Sequence, residues 1–195
     1  AVVRRDLTDN DTPWKDTTAP AGAVWYRVRG LNQAGEAGPY SPPAAVQAGE
    51  GPGGSAVLTD ECDDFDKIFD RSANLRFDTT NTKYFAGDPS RIMRSAATVE
   101  YVIYRVPAPI RSFRAEIYFW PQESVVDNKF YVSKDGKTFT ELNPDRENLG
   151  GDWIKIVYSA GVLPPEFTYL KIEFRNTAGQ WWNPNLSRVE IIYEG

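Results

Sequence analysis

The sequence predicts an all-β protein built around an antiparallel β-sandwich of the jelly-roll kind. Three observations carry that expectation. Residues 56–195 break into short runs rich in β-branched and aromatic residues, with Pro, Gly, Asn or Asp between them. No segment of useful length repeats its apolar residues at the helical period. The chain is 41% hydrophobic and 13% aromatic, which is enough to fill a core between two sheets.

Six strands are read in order. They are Val99 to Tyr104 (VEYVIY), Arg111 to Trp120 (RSFRAEIYFW), Lys129 to Ser133 (KFYVS), Trp153 to Tyr158 (WIKIVY), Tyr169 to Phe174 (YLKIEF) and Arg188 to Tyr193 (RVEIIY). Each alternates at least in part, as a strand with one buried face should. Lys134-Asp135-Gly136-Lys137 reads as a hairpin turn from its Asp-Gly pair. Ala48 to Ser55 (AGEGPGGS) is too rich in Gly and Pro to pack and reads as a linker over 48–55.

Before the linker the pattern is different. In Trp25 to Val46 (WYRVRGLNQAGEAGPYSPPAAV), Tyr26, Val28 and Gly30 would face inward and Arg27 and Arg29 outward. Asn32, Gly35 and Gly38 supply turn chemistry before a short closing strand. This stretch resembles the last two strands of a fibronectin type III domain, although Val24 stands where that family usually carries its corner tyrosine. A whole module of that kind needs about 90–100 residues. Residues 1–47 therefore read as the C-terminal part of one, and the chain as a piece of a longer modular protein.

Composition excludes several chemistries. The chain has no histidine, which removes Ser-His-Asp and Cys-His nucleophile pairs and zinc sites built on imidazole. The single cysteine, Cys62, builds neither a disulfide framework nor a thiolate zinc site. Gly49 to Gly54 (GEGPGG) lacks the Lys and Ser or Thr of a phosphate-binding loop. A net charge of −5 argues against nucleic acid as the main partner, and no apolar run is long enough to insert into a membrane. A carboxylate pair of the glycosidase kind remains chemically possible, but scattered acids on a sandwich are ordinarily a solvated surface.

A second resemblance spans nearly all of 56–195. It rests on DDFDKIFDRSANLRFDTTN (Asp63 to Asn81), GDPSRIMR (Gly87 to Arg94), YFWP (Tyr118 to Pro121), FYVSKDG (Phe130 to Gly136), GGDW (Gly150 to Trp153), YLKIEFRNT (Tyr169 to Thr177) and WNPNLSRVEI (Trp182 to Ile191), in that order. Together they resemble the non-catalytic, galactose-binding-like β-sandwich modules at the C-termini of secreted bacterial polysaccharide-degrading enzymes. In particular they resemble the xanthan-binding carbohydrate-binding modules attached to a xanthan-cleaving glycoside hydrolase. The resemblance implies a secreted bacterial module without catalysis of its own. Its partners would be an anionic, xanthan-like polysaccharide and the catalytic domain of the same parent chain. A cell-surface adhesion or protein-interaction module would use the same fold.

The residues themselves offer ways to hold a sugar. Sugars present C–H faces that stack on aromatic rings and hydroxyls that need planar polar partners. Trp181 and Trp182 are adjacent, so on an extended chain one indole would anchor the core and the other reach solvent beside Asn183-Pro184-Asn185. Trp120 sits at a strand end and Trp153 opens an apolar strand, so both serve packing as readily as binding. Between Asp70 and Arg94 the chain gathers Arg71, Arg76, Lys83, Arg91 and Arg94, against its acidic background. Arg91 and Arg94 are candidate contacts for carboxylates on the polymer, and they equally suit structural pairs with Asp88 and Glu100. Tyr84 and Phe85 would add a stacking surface.

Discoidin-like sugar-binding sandwiches often hold one structural Ca2+ through a G-D-x-S/T loop and a glutamate on the last strand. Gly87-Asp88-Pro89-Ser90 and Glu190 stand at those places, which implies calcium ligands at Asp88 and Glu190, joined by loop carbonyls.

Overall fold

The computed structural model describes residues 22–26, 44–48, 55–123, 128–161, 163–175 and 179–195. The chain divides into two compact units, Ala1–Gly51 and Pro52–Gly195. In the first, strands β1 (Gly22–Tyr26) and β2 (Ala44–Ala48) pair antiparallel, with Val24 opposite Val46. The alternation over Arg27 to Gly30 and the turn at Asn32, Gly35 and Gly38 lie outside the described residues.

The second unit is a β-sandwich. Its strands are β3 (Ser55–Asp60), β4 (Asp70–Arg71), β5 (Leu75–Asp78), β6 (Arg91–Arg94), β7 (Glu100–Arg105), β8 (Ile110–Phe119) and β9 (Asn128–Ser133). They are followed by β10 (Thr140–Leu142), β11 (Asp145–Gly150), β12 (Ile154–Ala160), β13 (Tyr169–Phe174) and β14 (Asn185–Glu194). One sheet runs β10-β9-β13-β7-β4. The other runs β11-β12-β8-β14-β6-β5, with β3 completing the edge of β14 beyond β6, and all pairings are antiparallel. The chain switches sheets between β7 and β8, between β8 and β9, between β10 and β11, between β12 and β13, and between β13 and β14. That is the wiring of a jelly roll.

Alternation sets the core. Val102 and Tyr104 of β7, Phe130 and Val132 of β9, and Leu170, Ile172 and Phe174 of β13 point inward from the five-stranded sheet. Phe113, Ala115, Ile117 and Phe119 of β8 meet them from the other side, and Phe113 stacks on Phe130 at 5.5 Å between centroids. On β14 a bulge between Leu186 and Arg188 resets the alternation, so Leu186, Val189 and Ile191 all reach the core. The buried Tyr104 hydroxyl donates to Asp60 Oδ2 at 2.9 Å, and the Cys62 N–H donates to Asp60 Oδ1. Burial pushes the Asp60 carboxyl above its ordinary value.

Candidate functional site

On β5, Leu75 and Phe77 face the core, so Arg76 and Asp78 stand on the outer face of the seven-stranded sheet. Met93 of β6 and Asn185 of β14, opposite one another in register, lie on the same face. Three segments rise around this floor. After β5 the Asp78 carboxylate accepts the Thr80 N–H and hydroxyl, which turns the strand into the short 3-10 helix Thr82–Phe85. The tight turn Gly151–Trp153 leads into β12, and the turn at Trp181–Trp182 leads into β14.

These parts enclose an open cleft of about 340 Å³. Trp153, Trp181, Trp182 and Tyr84 line it on the aromatic side, and Arg76, Asp78, Thr80, Asn81 and Asn185 on the polar side. The indoles are held by one another. Trp182 stands edge-on to Trp120 at 5.1 Å and tilted against Trp153 at 5.5 Å, and Trp153 rests on Phe85 at 4.6 Å. Trp181 faces a cation instead, with the Arg76 guanidinium 4.5 Å from its ring centre. Tyr84 is 42% exposed.

Of the residues expected at a sugar site, Trp153, Trp181, Trp182 and Tyr84 are brought together here. Trp181 and Trp182 do not divide between core and solvent. Both are half-buried and both line the cleft, because they occupy a turn, where the alternation of an extended strand does not apply. Trp120 does not line the cleft and instead buttresses Trp182 from behind.

Asn183, Arg91 and Arg94 are fully buried and do other work. The Asn183 carboxamide accepts the Trp120 N–H and donates to Glu123, which fixes the tryptophan turn. Arg94 donates to the carbonyls of Thr98, Gln180 and Asn183. Arg91 donates to the carbonyls of Asp88 and Thr80 and to Asp78 Oδ2 at 2.9 Å, with its guanidinium against the Phe85 ring. The expected pairs of Arg91 with the Asp88 carboxylate and of Arg94 with Glu100 are replaced by these contacts with backbone oxygens and with Asp78. A planar five-donor group is suited to such clusters of oxygens. Both arginines therefore hold the walls of the cleft without facing into it. Among the described lining residues the cation is Arg76.

Asp88 and Glu190 are not brought together. The Asp88 carboxylate accepts the Ser90 N–H and the Ser187 hydroxyl, while Glu190 pairs with Arg188. Ser187 lies three residues before Glu190 on β14, which at strand rise is roughly 10 Å. Among the described residues no three His, Cys, Asp or Glu side chains cluster closely enough to hold a metal ion.

Asn185 stands beside Trp181 and Trp182 in the cleft, as its place in the sequence suggests, whereas Arg76, Asp78, Thr80 and Asn81 join the polar side with no signal beyond the charge excess of the 70–94 segment. No protein-family model matches the chain, and no curated protein matches its sequence.

Proposed function

We propose that the sandwich is a non-catalytic polysaccharide-binding module of a secreted bacterial glycoside hydrolase, with an anionic polymer such as xanthan as its ligand. The observation that carries this reading is the convergence of three tryptophans and Tyr84 on one open cleft whose other side is lined by Arg76, Asp78, Asn81 and Asn185. Indole faces suit the C–H faces of pyranose rings, and carboxamides and carboxylates suit their hydroxyls. Arg76 supplies the contact for a uronate or pyruvate carboxylate, since its stacking on Trp181 leaves the N–H edge of its guanidinium for a bidentate partner.

The chemistry beside the cleft favours binding over cleavage. Asp78 is the one acid among its described lining residues. Burial works to raise its carboxyl, but hydrogen bonds from Thr80 and Arg91 outweigh that and hold it below the usual range. Glycoside cleavage with acid–base assistance needs a second, protonated carboxyl across the bond. This reading does not depend on calcium, since Asp88 is engaged by Ser187 and Glu190 by Arg188.

The module would work by keeping a catalytic domain of the same parent chain close to a viscous substrate outside the cell, raising effective concentration. Neither nucleic acid nor membrane insertion enters the proposal. The test is affinity electrophoresis in gels containing xanthan, with a parallel assay for reducing ends and unsaturated products. Retardation with a Kd of tens of micromolar or weaker and no product is expected from so few stacking contacts. Absence of retardation, or release of product, overturns the reading.

A further inference from the structure

A solvent-facing sheet face is ordinarily polar. The outer face of the five-stranded sheet, on the side of the sandwich away from the cleft, carries Tyr101 on β7, Tyr131 on β9 and Tyr169 on β13, flanked by Phe69 and Phe139. Phe69 is 53% exposed. The rings form a band across the strands. Phe69 meets the edge of Tyr169 at 5.5 Å, and the Lys171 ammonium lies 4.8 Å from the ring centre of Tyr101 and 5.3 Å from that of Tyr131. Sharing that ammonium puts Tyr101 and Tyr131 no more than about 10 Å apart, on strands separated only by β13.

The band is fixed before any ligand arrives. The Tyr101 hydroxyl donates to Asp70 and the Tyr131 hydroxyl to Glu173. Gly136 sits so close to the Tyr169 ring that a Cβ there would lie 2.9 Å from it, so the Asp135-Gly136 turn braces that ring. Rings that lose no freedom on binding contribute more of their contact energy to affinity. Cations and carboxylates interleave on this face: Glu173 is shared by Lys171 at 2.6 Å and Arg175 at 3.8 Å, and Lys129 pairs with Glu141 at 2.7 Å. Arg105 lies over the rings of Phe69 and Tyr169.

We propose that this face is a second glycan-binding surface, distinct from the cleft, and that it takes a neutral, extended polysaccharide chain laid across the strands. Glu173, Glu141 and Asp70 offset Lys171, Lys129, Arg175 and Arg105 to within one charge, which leaves little net field to attract a polyanion yet keeps donors and acceptors for hydroxyls, which are both. Rings alternating with ion pairs match a polymer that alternates C–H faces with hydroxyl edges. A protein partner would call for a continuous apolar centre, which the ion pairs interrupt. Since the proposal stands on residues other than those of the cleft, it does not depend on the cleft's ligand.

Affinity electrophoresis through hydroxyethylcellulose, a neutral polymer, and separately through xanthan tests the idea, with thermal melts to verify folding. The Phe69→Ala/Tyr131→Ala variant is expected to lose about fivefold or more of its affinity for hydroxyethylcellulose, the scale of one or two aromatic contacts, and to keep its retardation by xanthan. Phe69→Ala alone, at an exposed position, reports the same direction if the double variant fails to fold. Trp181→Ala should retain the neutral polymer. The proposal is overturned if hydroxyethylcellulose does not retard the wild-type protein or retards the folded face variants equally. It is also overturned if sedimentation shows a dimer that Phe69→Ala dissociates. Failure of the cleft reading shows separately, as unchanged xanthan affinity in Trp181→Ala.

Discussion

Arg94 and Asn183, 89 residues apart in the chain, are joined by a 2.7 Å hydrogen bond from the Arg94 Nη2 to the Asn183 carbonyl. The same guanidinium serves the Gln180 and Thr98 carbonyls, so one buried cation closes the turn that carries Trp181 and Trp182. Arg94→Met keeps the volume but strips three carbonyls of a donor. It should cost about 2–4 kcal/mol of stability, read as a lower urea midpoint at unchanged slope. Arg91→Met, which also leaves Asp78 unpaired, should cost about as much or more. If either variant kept wild-type stability and lost only xanthan affinity, the role assigned to these arginines would be wrong.

Binding and folding should separate at the cleft. Trp181→Ala removes a half-buried indole stacked on Arg76, and it should lower xanthan affinity by roughly 1–3 kcal/mol with a smaller change in melting temperature. Trp153→Ala removes a ring that also rests on Phe85, so it should lower both.

Arg76→Gln should weaken binding to a carboxylated polymer by about tenfold, or about 1.4 kcal/mol, and flatten its dependence on salt. Affinity for neutral polymers should hold. Isothermal titration at two ionic strengths decides this, and an unchanged salt slope removes Arg76 from anion recognition.

Acid should destabilise the fold. Asp135 is held at about 2, chiefly by the N–H groups of Thr138 and Lys137. Asp78, Glu100 and Glu116 are also held low, their hydrogen bonds and cations outweighing burial. A carboxyl whose folded value lies below its unfolded value stabilises the native state above about pH 4, and that stability is lost as pH falls through the folded value. Asp60, raised by burial, acts in the opposite sense and favours the folded state as it gains its proton. With four groups against one, melting temperatures should be level from pH 7 to 5 and drop below about 4.

Chelation offers a simple contrast. Because the Asp88 carboxylate is already engaged by Ser90 and Ser187 and Glu190 by Arg188, melting curves in calcium and in excess chelator should superimpose. A lower melting temperature in chelator would point to a native-state metal site.

The long strands were legible because their alternation is carried by large apolar residues. Tyr169 to Phe174 is found as read, and the runs at 99–104 and 111–120 shift by a residue. β6 and β11 escaped for opposite reasons. Arg91–Arg94 is wholly buried yet half arginine, and Asp145–Gly150 is wholly exposed, so neither shows a periodic contrast. β3 begins at Ser55, inside the stretch read as linker, because Gly and Pro there masked its start. The aromatic side of the cleft was visible as residue types. Its polar side was not, because Arg76 and Asn81 come from a segment about one hundred residues away from Trp181, and only the sheet order joins them. Charge is written in the sequence but burial is not: by sequence Arg91 and Arg94 suit polymer contacts and structural pairs equally, and only their burial decides for the structural role, while Arg76 is an exposed member of the same cluster.

The pairing of β3 with β14 sets Ser55 opposite Glu194, so the first and last residues of the sandwich's ladders are cross-strand neighbours about 5 Å apart. Chain therefore enters and leaves this unit at one corner, and the sandwich could hang as a side branch on another protein without stretching its host. Joining residue 194 to residue 55 through a few glycines and opening the Asp135-Gly136 turn would produce a circular permutant with every strand pairing intact. Tension on the two ends would peel β3 from β14 one hydrogen-bonded pair at a time instead of shearing the whole ladder, so the sandwich should yield at low force along that seam.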